Sequence, residues 1–84
     1  MRREIGRHLV IDSEIHHGEI TFRDTRIPVA SVLDDVADGT DWDTIVQQWN
    51  GSVTKEAIGE AVRLAIEALV LQHRHTVTAT PARA

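Results

Sequence analysis

Apolar residues recur at helical spacing through most of the second half of the chain. Val29, Val32, Leu33 and Val36 fall at i, i+3, i+4 and i+7, which predicts a helix over about residues 28–38 with one buried face. Pro28 suits its first turn, where a missing N–H costs nothing, and Gly39 suits its end. Trp42, Ile45, Val46 and Trp49 repeat the spacing, so a second helix is expected over about 41–49 with Thr40 or Asp41 as cap. Both tryptophans sit at core spacing, with one ring able to reach an interface. Asn50-Gly51-Ser52 breaks this helix, and Thr54 caps a third over 55–73.

The third helix differs from the others. At 1.5 Å per residue it should run about 28 Å, roughly twice the length of either neighbour. Its first half has one apolar face, Ile58, Ala61, Val62 and Ala65. Its second half, Leu64 to Leu71, is apolar nearly all round except for Glu67. Such a helix must be covered on every side, and two short helices cannot reach its end. Ile66, Leu69, Val70 and the following Arg74 are therefore the expected contacts for a second copy or a partner.

The first 27 residues read differently. Glu19-Ile20-Thr21-Phe22 alternates with period two, and His8-Leu9-Val10-Ile11 is apolar and β-branched, which predicts two short strands. A two-strand ribbon is marginal in water, so it must lie on the helices, or its strands must pair with another chain. Residues 76–84 are small, polar and proline-containing, and are expected to form a flexible tail after a single domain over 1–75.

Composition narrows the chemistry. The 84 residues include no cysteine, which removes disulfides and thiolate metal sites. The charged N-terminus leads into no signal-peptide core, and no apolar run is long enough for a bilayer, so a cytoplasmic protein is expected. Net charge is −4, and it is unevenly placed: residues 28–50 carry five aspartates and no Lys or Arg. That segment would repel phosphate.

The helix–break–helix at 41–73 has the outline of a DNA-reading helix-turn-helix, and equally that of an ordinary three-helix bundle. A recognition helix over 55–63 would offer only Lys55 and Arg63 as cations, among three exposed glutamates at 56, 60 and 67. Arg2, Arg3, Arg7, Arg23 and Arg26 could anchor phosphates instead. Neither His16-His17 nor His73-x-His75 has the i, i+4 spacing of a helical metal pair, so no metal or cofactor is expected. Asp34, Asp35 and Asp38 read as a solvated face. No nucleophile–base pair or phosphate-binding glycine loop is present, and no enzymatic activity is expected.

The stretch Gly18-Glu19-Ile20-Thr21-Phe22-Arg23-Asp24-Thr25-Arg26-Ile27-Pro28-Val29 resembles the signature of the bacterial family known as domain of unknown function 433. Its core is Thr25-Arg26-Ile27-Pro28-Val29, and the similarity runs over roughly residues 8–72. Asp24 stands where the family usually has Gly, and His16-His17-Gly18-Glu19-Ile20 replaces its usual Cys-Gly-Gly-Lys-Pro-like turn. Asp is among the residues that tolerate left-handed geometry. The resemblance implies a mainly α, homeodomain-like three-helix bundle with an N-terminal two-strand β element. It also implies frequent dimerisation, and an antitoxin-like role opposite a PIN-like ribonuclease toxin, with operator DNA as a further partner. Arg74, Arg83 and the histidines near the tail are then candidates to approach an acidic nuclease site, and Thr25, Arg26, Ile27 and Pro28 read as architecture, with Arg26 bonding backbone carbonyls or Asp34.

Overall fold

The computed structural model describes residues 2–14 and 18–73. Three strands, β1 (Arg2–Ile5), β2 (Leu9–Asp12) and β3 (Ile20–Phe22), precede three helices, α1 (Val29–Ala37), α2 (Trp42–Gln48) and α3 (Lys55–Gln72). The strands form one antiparallel sheet in the order β1-β2-β3. The fold is mixed and helix-rich.

The expected two-strand element is thus a three-strand sheet, and β1 is the addition. Its sequence, Arg-Arg-Glu-Ile, shows no apolar alternation because it is an exposed edge strand. It is held by register with β2, Ile5 opposite Leu9 and Glu4 opposite Val10. Of the alternatives, the two expected strands pair with each other, and the other edge of β2 is taken by the chain's own β1.

The helix limits follow local chemistry. Pro28 is the N-cap of α1 in extended geometry, one position before the helix proper. Gly39, at φ +86°, donates to Val36 O at 3.0 Å while Thr40 donates to Asp35 O at 3.0 Å. This 5→2 and 6→1 pair is a Schellman cap. Asn50 and Gly51 close α2 in the same way, through Gln47 O and Val46 O, with Asn50 at φ +54°. Thr54 caps α3, its hydroxyl accepting the Ala57 N–H at 3.1 Å. Asp41 precedes α2 but makes no side-chain bond to the helix backbone; its carboxylate takes the Thr44 hydroxyl.

Leu9, Phe22, Val29, Val32, Ile45, Val53, Ile58 and Ala61 form the core, where one sheet face meets all three helices. The buried residues of α3 are Ala57, Ile58 and Ala61, all in its first half. Of the tryptophans, Trp49 packs against the core, whereas Trp42 stays 37 % exposed, lying over Gly59 of α3. No helix among the described residues is long and apolar enough to cross a membrane.

Candidate functional site

The nine residues of α1 and seven of α2 span about 14 and 11 Å, against about 27 Å for the eighteen of α3. Neither short helix is long enough to cover α3 to its end, and residues 65–72 of α3 are exposed. Ile66, Leu69, Val70 and Leu71 are 54, 58, 56 and 60 % exposed. Taking roughly 180 Å² for each such residue when bare, the four expose about 400 Å² of mostly apolar surface, within the range of functional patches on monomers.

Two apolar grooves flank this segment. One, about 350 Å³, lies between α3 and the sheet, with Ile5 and Ile20 on one wall and Leu64, Ala68 and Leu71 on the other. The second, about 270 Å³, lies between α3 and α1, lined by Leu33, Val36, Val62, Ile66 and Leu69. Ala65 borders both, and with Ala68 it leaves room for close approach of another helix. The apolar interface residues expected from sequence, Ile66, Leu69 and Val70, are therefore on one bare surface. Arg74, Arg83, the His16-His17 pair and the tail lie outside the described residues.

The cations expected to meet DNA are engaged differently from one another. Lys55 is held by Asp43 at 2.6 Å, and that hydrogen bond, more than the surrounding charge, raises its pKa. Arg23 pairs with Glu4 at 2.8 Å and donates to Arg7 O at 2.9 Å; the bond from Arg23 lowers the Glu4 pKa. Arg2 and Arg3 are adjacent on β1 and so face opposite sides of the sheet. Arg63 is exposed on α3, and Arg7 sits in the β1–β2 turn.

Two site-defining features were not legible beforehand. Glu60, expected to be an exposed acid on a groove-facing helix, reaches the β1–β2 turn instead. Its carboxylate takes the Arg7 N–H at 2.7 Å and the His8 N–H at 2.6 Å. Desolvation pushes its pKa up, but the two backbone bonds and the nearby His8 and Arg7 charges outweigh it and hold the group below the usual glutamate value. Gly6 makes room: at φ +67°, a Cβ there would lie 2.5 Å from Glu60 Oε2. This clasp ties the β1–β2 turn to the first half of α3.

The second feature is Arg26. Thr25 and Pro28 do serve as architecture. The Thr25 hydroxyl donates to Phe22 O at 2.8 Å and accepts the Ile27 N–H at 3.0 Å, and Pro28 bridges to Thr21. Ile27 packs on the core. Arg26 does not follow the expectation: among the described residues it bonds neither a backbone carbonyl nor Asp34, and it is exposed. Asp24 adopts φ +62°, the left-handed geometry the family's usual Gly would take there.

The structure thus defines a small helix-rich domain whose longest helix is bare over its second half. A family model described as "Protein of unknown function (DUF433)" matches residues 9–65, more than half of the chain, and the chain belongs to that family. The match includes the 22–28 loop and ends at Ala65, where the bare segment begins. No curated protein and no solved structure matches the chain significantly.

Proposed function

We propose that the chain is an antitoxin-like binding protein that self-associates through the second half of α3 and neutralises a PIN-like ribonuclease toxin. The observation that carries this reading is the bare apolar surface around Ile66, Leu69 and Val70, flanked by two grooves. Surfaces of this kind are unfavourable in water and are covered by protein partners. The patch supplies about half of a standard 800 Å² half-interface, and the groove walls extend it. Ala65 and Ala68 suit a helix as the covering element. The ribonuclease as partner rests on the family resemblance.

The test is co-purification with the PIN-like product of an adjacent gene, followed by an RNA-cleavage assay. Cleavage should be suppressed at stoichiometric chain and restored by Leu69→Glu, since an unpaired charge buried at that position opposes association. Full cleavage in the presence of folded wild-type chain refutes the reading.

The second reading is a DNA-binding regulator. The succession of a short helix, a Gly-containing turn and an α3 capped by Thr54 supports it. The engagement of Lys55 and Arg23 by acids weighs against it, because each leaves one fewer free cation for phosphate.

A further inference from the structure

One side of α3 carries a seam. Val62, Ile66, Leu69 and His73 recur at steps of four, three and four, the spacing at which two helices pair along one face. Ile66 and Leu69 are more than half exposed, and His73 is exposed at the helix end. The seam runs along the groove of about 270 Å³ whose other wall is Leu33, Val36 and Ala37 of α1. The one charged side chain between Arg63 and His73 is Glu67, and the helical repeat sets it about a third of a turn away from the seam.

The two ends of this surface carry opposite charge. Asp34 lies three residues before Ala37, on the same side of α1, and Asp38 is the C-cap that follows it. Both aspartates are exposed, and their carboxylates enter no hydrogen bond or ion pair among the described residues. At the end of α3 the sequence reads His73-Arg74-His75, with no acid from there to the last residue. An apolar seam thus joins an acidic wall to a basic end on one chain.

We propose that a second copy of the chain docks on this seam with its α3 antiparallel, about a twofold axis between Ile66 and Leu69. The proposal rests on the self-association stated above, and it specifies the face, the direction and the charge contacts; it does not depend on the ribonuclease. Antiparallel pairing sets Ile66 against Leu69 of the second copy and Val62 against its His73. It also carries the basic end of each α3 toward the acidic α1 wall of the other copy, so the attraction is made twice. A parallel pair would bring the two basic ends together and leave both α1 walls without a cation. Ile66, Leu69 and Val70 expose about 300 Å² at roughly 180 Å² per bare residue. With the α1 wall added this stays below the roughly 800 Å² per partner of a standard interface, so two charge contacts have leverage on the association. Leu64, Ala68 and Leu71, on the other side of α3, stay uncovered along the groove beside the sheet.

The test is a charge exchange between two full-length chains, read by sedimentation equilibrium at low salt. One chain carries Asp34→Lys with Asp38→Lys, the other Arg74→Glu, and far-ultraviolet circular dichroism checks that each is folded. Each variant alone should associate about tenfold or more weakly than the wild type, since both symmetric contacts turn repulsive. An equimolar mixture should recover association close to that of the wild type, because the mixed dimer has opposite charges at both contacts. Should the lysine variant not fold, Asp34→Asn with Asp38→Asn takes its place and should weaken association several-fold. The proposal is overturned if the folded variants associate as tightly as the wild type, or if the mixture associates no better than its components. Either result leaves self-association through α3 standing. A wild type that is folded and monomeric at every concentration removes that self-association and the antiparallel pair with it.

Discussion

Replacing Glu60 by alanine removes a charged contact that ties the β1–β2 turn to α3. The carboxylate accepts two backbone N–H groups at 2.7 and 2.6 Å, and bonds to a charged acceptor are worth about 1.5–3 kcal/mol each when shielded. The Arg7 N–H is exposed and its share is discounted for solvent, which leaves about 2 kcal/mol for the pair. For a domain of this size that corresponds to a fall of roughly 8–16 °C in melting temperature. The sign with pH is fixed by the direction of the shift. The folded pKa lies below the ordinary 4.5, so the stabilisation is present in full above that value and is lost as pH falls through the folded pKa. Thermal melts by circular dichroism at neutral pH and at several acidic values measure both effects. The gap between wild type and Glu60→Ala should be widest at neutral pH and narrow steadily below pH 4.5. A gap under about 2 °C at neutral pH would refute the clasp. A gap independent of pH would show that the side chain acts through packing rather than through its charge.

Three further substitutions probe the same structure. Gly6→Ala should cost about 1–2 kcal/mol from its left-handed backbone, plus displacement of the Glu60 carboxylate. In a Glu60→Ala background only the first cost should remain, which a double-mutant cycle of melts will read. Asp24→Gly relieves an unpartnered side chain at φ +62° and should raise the melting temperature by a few degrees, corresponding to about 0.5–1 kcal/mol. Thr54→Ala deletes the α3 cap and should lower stability by about 1 kcal/mol in urea titration, with an unchanged slope.

The sequence was most informative where structure depends on near neighbours. Gly39, Asn50-Gly51 and Thr54 mark helix ends because they satisfy backbone groups within a few residues of themselves. The bare half of α3 was legible from two local facts, an apolar surface on every side and a helix longer than its partners. Features that depend on distant partners were not legible. β1 carries charges where strands usually alternate, and only its register with β2 makes it a strand. Glu60 lies 53 residues from Arg7, and no local spacing relates a helix glutamate to a turn that far away. Trp42 and Trp49 share one periodicity, and only the packing of α2 on Gly59 separates the exposed ring from the half-buried one. Arg26 sits in a motif whose other members build the loop, and a sequence gives no sign that its guanidinium is left free.

The central claim is that the second half of α3 is an association surface, and sedimentation equilibrium of the 9.4 kDa chain beside Leu69→Glu tests it most directly. The wild type should sediment at twice the chain mass at micromolar concentration. The variant should sediment as a monomer with the same far-ultraviolet circular dichroism, because the core residues Ile45, Val53 and Ile58 do not involve Leu69. A wild-type chain that is folded and monomeric at every concentration, or a variant that dimerises as well as the wild type, would contradict the claim.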